Sequence, residues 1–298
     1  MTDHPQHPQQ PPQFTCSNCN YNLKGLDLAG NCPECGDLIL QKCFWCDYDL
    51  TNTNPDTNCP ECGVPATTSI GQGVLATTPL DLLKTIHKGF RLVTILILIY
   101  IVWVVVAMVG FMSIAFDPKY YNLMGISASI ITNTIIFGII FGWWKIASPI
   151  PGLPEDVDGS DRRGFLNATL LAFAIITAIS MLITFIPKNL DPDAPFTTIE
   201  YVMLGGQLIS FVVMIAMYIA QLRYLQWFAK LVNNTKMHKR AKHMVWSGPL
   251  IFCVGFFLIL LGPLIVLVLY WNMIEYLRRD VKKILKSKHT HPIPEPTA

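Results

Sequence analysis

The chain has 298 residues, is 52% hydrophobic and only 14% charged, and carries a formal net charge of +2. Soluble domains carry about 25% charged residues, so a single ordinary soluble domain is excluded, while the length allows two domains. The near-neutral sum hides a split: residues 1–75 hold Lys24 and Lys42 against eight carboxylates, a net of −6, and the remainder carries +8.

Residues 1–15 are rich in Pro, Gln and His. They read as a disordered start with no apolar stretch of the kind a signal peptide needs. Eight cysteines follow in two C-x2-C…C-x2-C sets: Cys16, Cys19, Cys32 and Cys35, then Cys43, Cys46, Cys59 and Cys62. The second set is the first shifted by 27 positions, and Asn31 to Gly36 recurs as Asn58 to Gly63. Four thiolates at such spacing suit zinc, which takes a tetrahedron of soft ligands and makes no geometric demand of its own. Four cysteines per ion leave no open position for water, which points to structural metal. The expectation is two zinc ribbons, at 16–37 and 43–64, each with a short β-hairpin. Gly36 and Gly63 follow the last ligand, where a positive φ is often required. A disulfide framework is the competing reading. Seven residues separate Cys35 from Cys43, so knuckles could pair within a copy or across copies. The second copy has Asn52-Thr53 in place of a Gly-Leu pair, so a differently shaped hairpin is expected there.

Many zinc ribbons bind nucleic acid, but that affinity comes from Lys and Arg neutralising phosphates. A front segment with two lysines and eight carboxylates would be repelled. Nucleic acid is therefore not the expected partner; a protein partner with basic side chains is expected.

Residues 65–78 read as a linker and 79–91 as an amphipathic helix on the membrane surface. Thr78 is a candidate N-cap, Pro79 suits the first helical position, and Asp81 stands at the capping-box position. Lys84, Lys88 and Arg91 line one face and Leu83, Ile86 and Phe90 another, a pattern suited to an anionic leaflet. Five uncharged runs follow, at 92–116, 120–144, 165–187, 201–222 and 244–274. Each meets the roughly 20 residues a membrane span needs, and lipid forces such segments to be helical. The fold class is thus mainly α: a transmembrane bundle over 92–277, preceded by the tandem zinc-ribbon domain. Residues 278–298 read as a basic, mostly disordered tail.

Lys and Arg counts beside the spans alternate and place the N-terminus in the cytoplasm. The tail breaks the alternation, with six basic residues between Arg278 and Lys288 on the wrong side for five spans. Either the tail is external, or 244–274 turns back at Gly262-Pro263. A single long, kinked helix is the preferred reading. Gly138 and Gly142, and Gly248, Gly255 and Gly262 at every seventh position, suggest close helix packing. Asn133 and Gln207 are the most polar buried candidates. No catalytic motif is present, so an enzyme is not expected.

The phrase from Cys16 to Gly36, with C-x-x-C-x-Y-x-L-x-G-L and then C-P-E-C-G, resembles the N-terminal zinc ribbon of a group of bacterial multipass membrane proteins. Gly142-Trp143-Trp144 and the stretch from Leu261-Gly262-Pro263 to Arg279 fit the same group. The resemblance implies architecture, zinc and the bacterial inner membrane, and no chemistry. The leading expectation is a membrane protein with a cytoplasmic double zinc ribbon as a docking or scaffold module. The rivals are a transporter or channel subunit regulated by the ribbons, with a cavity lined by Asn133 and Gln207, and a lipid enzyme at the membrane interface. Oligomeric state is not legible.

Overall fold

The computed structural model describes residues 16, 21, 23, 26, 30–36, 38–40, 42–43, 45–46, 48–51, 53–54, 57–69, 75, 78–114, 118–150, 159–183, 185, 198–232, 234–257 and 261–290. Side chains are described for these except at 67–68, 108, 111–114, 118–124, 198–204, 235, 253–257, 261 and 287–290. Cys19, residues 1–15 and the end of the tail at 291–298 lie outside the described residues.

Six helices follow a cysteine-rich head: α1 (Leu80–Ile114), α2 (Pro118–Ile146), α3 (Ser160–Ile183), α4 (Thr198–Leu231), α5 (Thr235–Phe257) and α6 (Leu261–Thr290). Each helix packs on its sequence neighbours, and α6 returns to α1, closing a ring. Adjacent helices run antiparallel. Trp103 Nε1 donates to Thr132 Oγ1 at 2.9 Å across α1 and α2, and Trp271 Nε1 to the Thr94 carbonyl at 3.1 Å across α6 and α1. The rings of Phe211 and Phe252 lie 5.9 Å apart across α4 and α5.

Four helices are long and apolar enough to cross a membrane: Leu80–Ala107, Gly125–Ile146, Ser160–Ile183 and Gly205–Leu231. Their outward faces carry large exposed apolar side chains, among them Val102, Val109, Leu182, Leu208 and Val212. Exposed apolar side chains along four such helices suit lipid.

The fifth run departs from the preferred reading. Residues 244–274 are not one helix, because α5 ends at Phe257 and α6 starts at Leu261. The two lie side by side as a hairpin. Asn234 Nδ2 donates to Asp280 Oδ2 at 2.6 Å, and the Arg240 guanidinium sits 5.7 Å from the Tyr276 ring centre. Pro263 falls in the first turn of α6, where its missing N–H costs no helical hydrogen bond. The seven-residue glycine stripe is therefore split: Gly248 and Gly255 belong to α5, and Gly262 to α6. An even number of antiparallel helices leaves the start of α1 and the end of α6 at the same end of the bundle.

The segment 79–91 is not a separate surface helix either. Apart from Pro79, it forms the first turns of α1, which runs unbroken into the apolar stretch. The helix starts one residue later than a Thr78 cap predicts, since Leu83 N donates to the Pro79 carbonyl at 3.1 Å. The apolar face foreseen for lipid is taken by protein: Leu83, Ile86 and Phe90 are fully buried in the bundle core. Phe90 meets Phe228 of α4 at 5.2 Å between ring centres. That core is aromatic where the basic residues gather. Trp143 lies within 6.3 Å of Tyr224 and 6.5 Å of Tyr270, ring to ring, and the Tyr224 hydroxyl donates to the Ile146 carbonyl at 2.9 Å.

Small residues set the α1–α2 distance. A Cβ on Gly142 would stand 2.5 Å from Val93 Cγ2, and one on Gly138 would stand 2.6 Å from Leu96 Cδ1. Gly89, which sequence reading passed over, faces Gly142, whose carbonyl oxygen would be 2.9 Å from an added Cβ. Gly248 is pressed against the Tyr218 ring.

Candidate metal centres

Local hydrogen bonds shape the cysteine turns. Cys16 N donates to the Tyr21 carbonyl at 2.8 Å, and Cys43 N to that of Tyr48 at 2.7 Å. At the second turns, Gly36 N donates to Cys32 O at 2.8 Å and Gly63 N to Cys59 O at 2.9 Å. These turns close because Gly36 and Gly63 adopt φ of 74° and 72°, a region where a side chain is strained. Both pairs of bonds are related by the 27-residue shift. So are Leu26 N to Leu23 O and Thr53 N to Leu50 O, so the replaced Gly-Leu pair leaves that turn intact. The expected hairpins reduce, among the described residues, to isolated antiparallel bridges: Asn31 with Leu38, Lys42 with Asp49, and Asn58 with Pro65.

The turns bring the sulfurs together within each copy. Cys43, Cys46, Cys59 and Cys62 form one group that could hold a metal ion, and Cys16, Cys32 and Cys35 form another, with ligand atoms in each within 4.8 Å of one another. Cross-copy pairing is thereby set aside for these seven residues. The Sγ separations are 3.5 Å for Cys43–Cys62 and 3.6 Å for both Cys46–Cys59 and Cys16–Cys35. Zn–S bonds of about 2.3 Å in a tetrahedron put sulfurs about 3.8 Å apart, so the donor set fits that ion. A disulfide would need about 2.05 Å, and none of the seven described head cysteines forms one.

Thiols this close cannot ionise independently. Burial pushes the Cys46 thiol up to about 12, with further upward pushes from the neighbouring sulfurs. Burial also raises Cys59, but hydrogen bonds from the backbone of Cys62 and Glu61 and from the Cys46 and Cys43 side chains outweigh it and bring it to about 7. The group takes up its negative charge unevenly, as expected of ligands gathered for a cation.

The two copies share one small core. Leu23, Ile39, Leu40, Leu50 and Ala66 are buried together with Cys16, Cys32, Cys43 and Cys59. The second copy also touches the bundle. Val64 and Leu75 are buried in the bundle's own core, with Trp45 and Cys62 packed against it. Lys230 of α4 donates its Nζ to the Trp45 carbonyl at 2.7 Å and lies 5.7 Å from the Trp45 ring centre. Trp45 stands between the ligands Cys43 and Cys46, so the metal turn itself is the contact. Sequence reading missed this role of Lys230, since nothing local marks it off from the other basic residues around the end of α4.

Lys84 pairs with Asp81 at 3.5 Å, while Lys88 and Arg91 are exposed on α1. The two polar candidates do not converge. Asn133 Nδ2 donates to Ser129 Oγ of its own helix at 3.2 Å, and Gln207 is exposed on α4. The buried polar pair is instead Gln221, whose Oε1 accepts from the Tyr270 hydroxyl at 2.6 Å.

Searches against family models, curated proteins and solved structures give no match for this chain. The likeness to zinc-ribbon membrane proteins thus rests on the cysteine groups and the apolar helices.

Proposed function

We propose that this chain is a non-enzymatic membrane-anchored docking protein, with two structural zinc ions, each held by four cysteines, shaping a cytoplasmic head. Cys19 supplies the fourth ligand beside Cys16, Cys32 and Cys35. The observation that carries the reading is the placement of the head. Its second copy is held on the bundle through Trp45 and Lys230, while Tyr21, Leu26, Leu38 and Tyr48 remain about 40% exposed. A head fixed on one side and apolar on another suits a binding platform. Its net charge of −6 favours a partner carrying basic and apolar side chains.

The helical hairpin supports the orientation. With α5 and α6 dipping into the membrane and returning, Lys84, Lys145, Arg223 and Arg278 all lie on the side of the head. That puts most of the Lys and Arg beside the spans on one side, in line with their preference for the cytoplasm. The channel reading has less support, because Asn133 and Gln207 line no shared space and the middle of the basic end is filled by Trp143, Tyr224 and Tyr270.

Photo-crosslinking tests the platform. A benzophenone side chain at Leu38 in the full chain, in its native membrane, is expected to give a discrete adduct with a basic protein. The same group at Leu250, on the outer face of α5, is expected to give lipid adducts only. Adducts at Leu38 that match those at Leu250 would remove the docking function.

A further inference from the structure

A groove of about 340 Å³ opens between the start of α3 and the last turns of α4, lined by Asp161, Arg162, Phe165, Ala220, Arg223 and Gln226. Arg162 and Arg223 are both exposed and line it together. Among the described residues neither makes an ion pair or a hydrogen bond, and Asp161, in the same groove, pairs with neither. Two guanidiniums lining one groove offer paired N–H donors suited to an anion.

The groove is held rigidly. Gly159, at φ 62°, lets the chain enter α3 against the Trp227 indole, and a Cβ there would stand 2.5 Å from Trp227 Cε2. Trp227 is buried. On the other wall, the Gln226 carbonyl is 3.0 Å from His238 Nδ1. α3 begins at Ser160, so its first N–H groups lie beside the same opening. Phe165 is half-exposed at the groove's edge, where the basic end gives way to the apolar belt.

We propose that this groove binds a phosphate group, with Arg162 and Arg223 as its two cationic ligands. A fork of N–H donors from each side suits the tetrahedral oxygens of a phosphate. The position at the junction of charged end and apolar belt suits the phosphate of a lipid headgroup, with Phe165 against the chains. Inorganic phosphate has the same chemistry and is the other source. The site is independent of the head's docking role.

The test uses the full chain, purified in neutral detergent and stripped of lipid. Short-chain phosphatidic acid, phosphatidylcholine of the same chain length and inorganic phosphate are titrated separately and in competition, with binding read by native mass spectrometry. Phosphatidic acid is expected to bind more tightly than phosphatidylcholine. Arg162→Gln and Arg223→Gln are each expected to weaken it about tenfold, the effect of one lost charge-assisted contact. Arg162→Lys should keep most of the binding, and Lys282→Gln, away from the groove, should leave it unchanged. Asp161→Asn, an exposed change that takes a negative charge from the groove, should tighten binding and serves if the arginine variants fail to fold. Displacement of the lipid by inorganic phosphate would identify the free anion as a ligand of the same site; resistance to it would identify the headgroup. Glutamine variants that bind as the parent does, equal binding of the two lipids with no response to phosphate, or an unaltered Asp161→Asn affinity would each overturn the proposal.

Discussion

Lys230 reaches across 185 positions of sequence to donate a hydrogen bond to the carbonyl of Trp45, at 2.7 Å. One end of that bond is on a helix apolar enough to cross a membrane, and the other lies between Cys43 and Cys46. Head and bundle are coupled at a cysteine turn that could hold a metal ion.

Lys230→Met keeps the aliphatic stem and removes the donor. A part-buried hydrogen bond from a charged group is worth about 1.5–3 kcal/mol, so amide exchange over 43–66 should quicken about tenfold or more. Hydrogen exchange of the full chain checks this. Unchanged protection would mean that burial of Val64 and Leu75 alone holds the head.

Metal analysis is expected to find about two zinc ions per chain, one for each four-cysteine set. Cys59→Ser should lose one of them. Because Leu23 and Leu50 lie in one core, the loss should also loosen the first copy, seen as faster exchange at 30–40. Full protection there would mean that the copies fold independently.

Gly142→Ala should destabilise the α1–α2 contact by about 1–3 kcal/mol, the usual cost of overpacking, because its Cβ would meet Val93 at 2.5 Å. Gly125→Ala, on the same helix with nothing within 4 Å, should be neutral or slightly stabilising. Thermal unfolding in one detergent compares them. Equal melting temperatures would remove the close approach as a packing determinant.

Glu275 accepts from Arg278 at 2.7 Å and from Arg279 at 3.0 Å. The Arg278 contact holds its carboxyl below the ordinary 4.5, against the opposing effect of burial and with help from Arg279. A depressed folded value means that the contribution is complete above the unfolded value and fades as pH falls through the folded one. Glu275→Gln should therefore melt lower than the parent at neutral pH, and the gap should close as pH falls below the unfolded value and through the lowered folded one. A gap constant with pH would show that the carboxylate charge does not matter.

Tags at the two termini should be cut by protease from the same side of sealed vesicles, since α1 begins and α6 ends together. Protection of one tag and cleavage of the other would restore a fifth span at 244–274.

The cysteine turns were legible because a metal site is written in local spacing: Cys43 to Cys46 and Cys59 to Cys62 each need only two intervening residues, and Gly63 marks the turn that follows. The four long apolar helices were legible because length and the absence of charge are properties of a segment alone. The pairing of α5 with α6 was harder. Uncharged residues continue from one into the other, and hydropathy cannot tell a helix that crosses from two that meet. The contradiction in the basic tail was its one trace, and the contacts of Asn234 with Asp280 and Arg240 with Tyr276 resolve it. The apolar face of Leu83, Ile86 and Phe90 was read correctly as a stripe and assigned to the wrong solvent, since a stripe that suits lipid also suits a neighbouring helix.

By itself the sequence determined which side chains can gather around a metal and which stretches avoid water, because both follow from neighbours a few positions apart. Only the tertiary structure decided that 244–274 folds back, that Gly89 rather than another glycine faces Gly142, and that Trp45 rests on Lys230. Those depend on which distant surfaces meet, and many distant surfaces of this chain are equally apolar until packing selects among them.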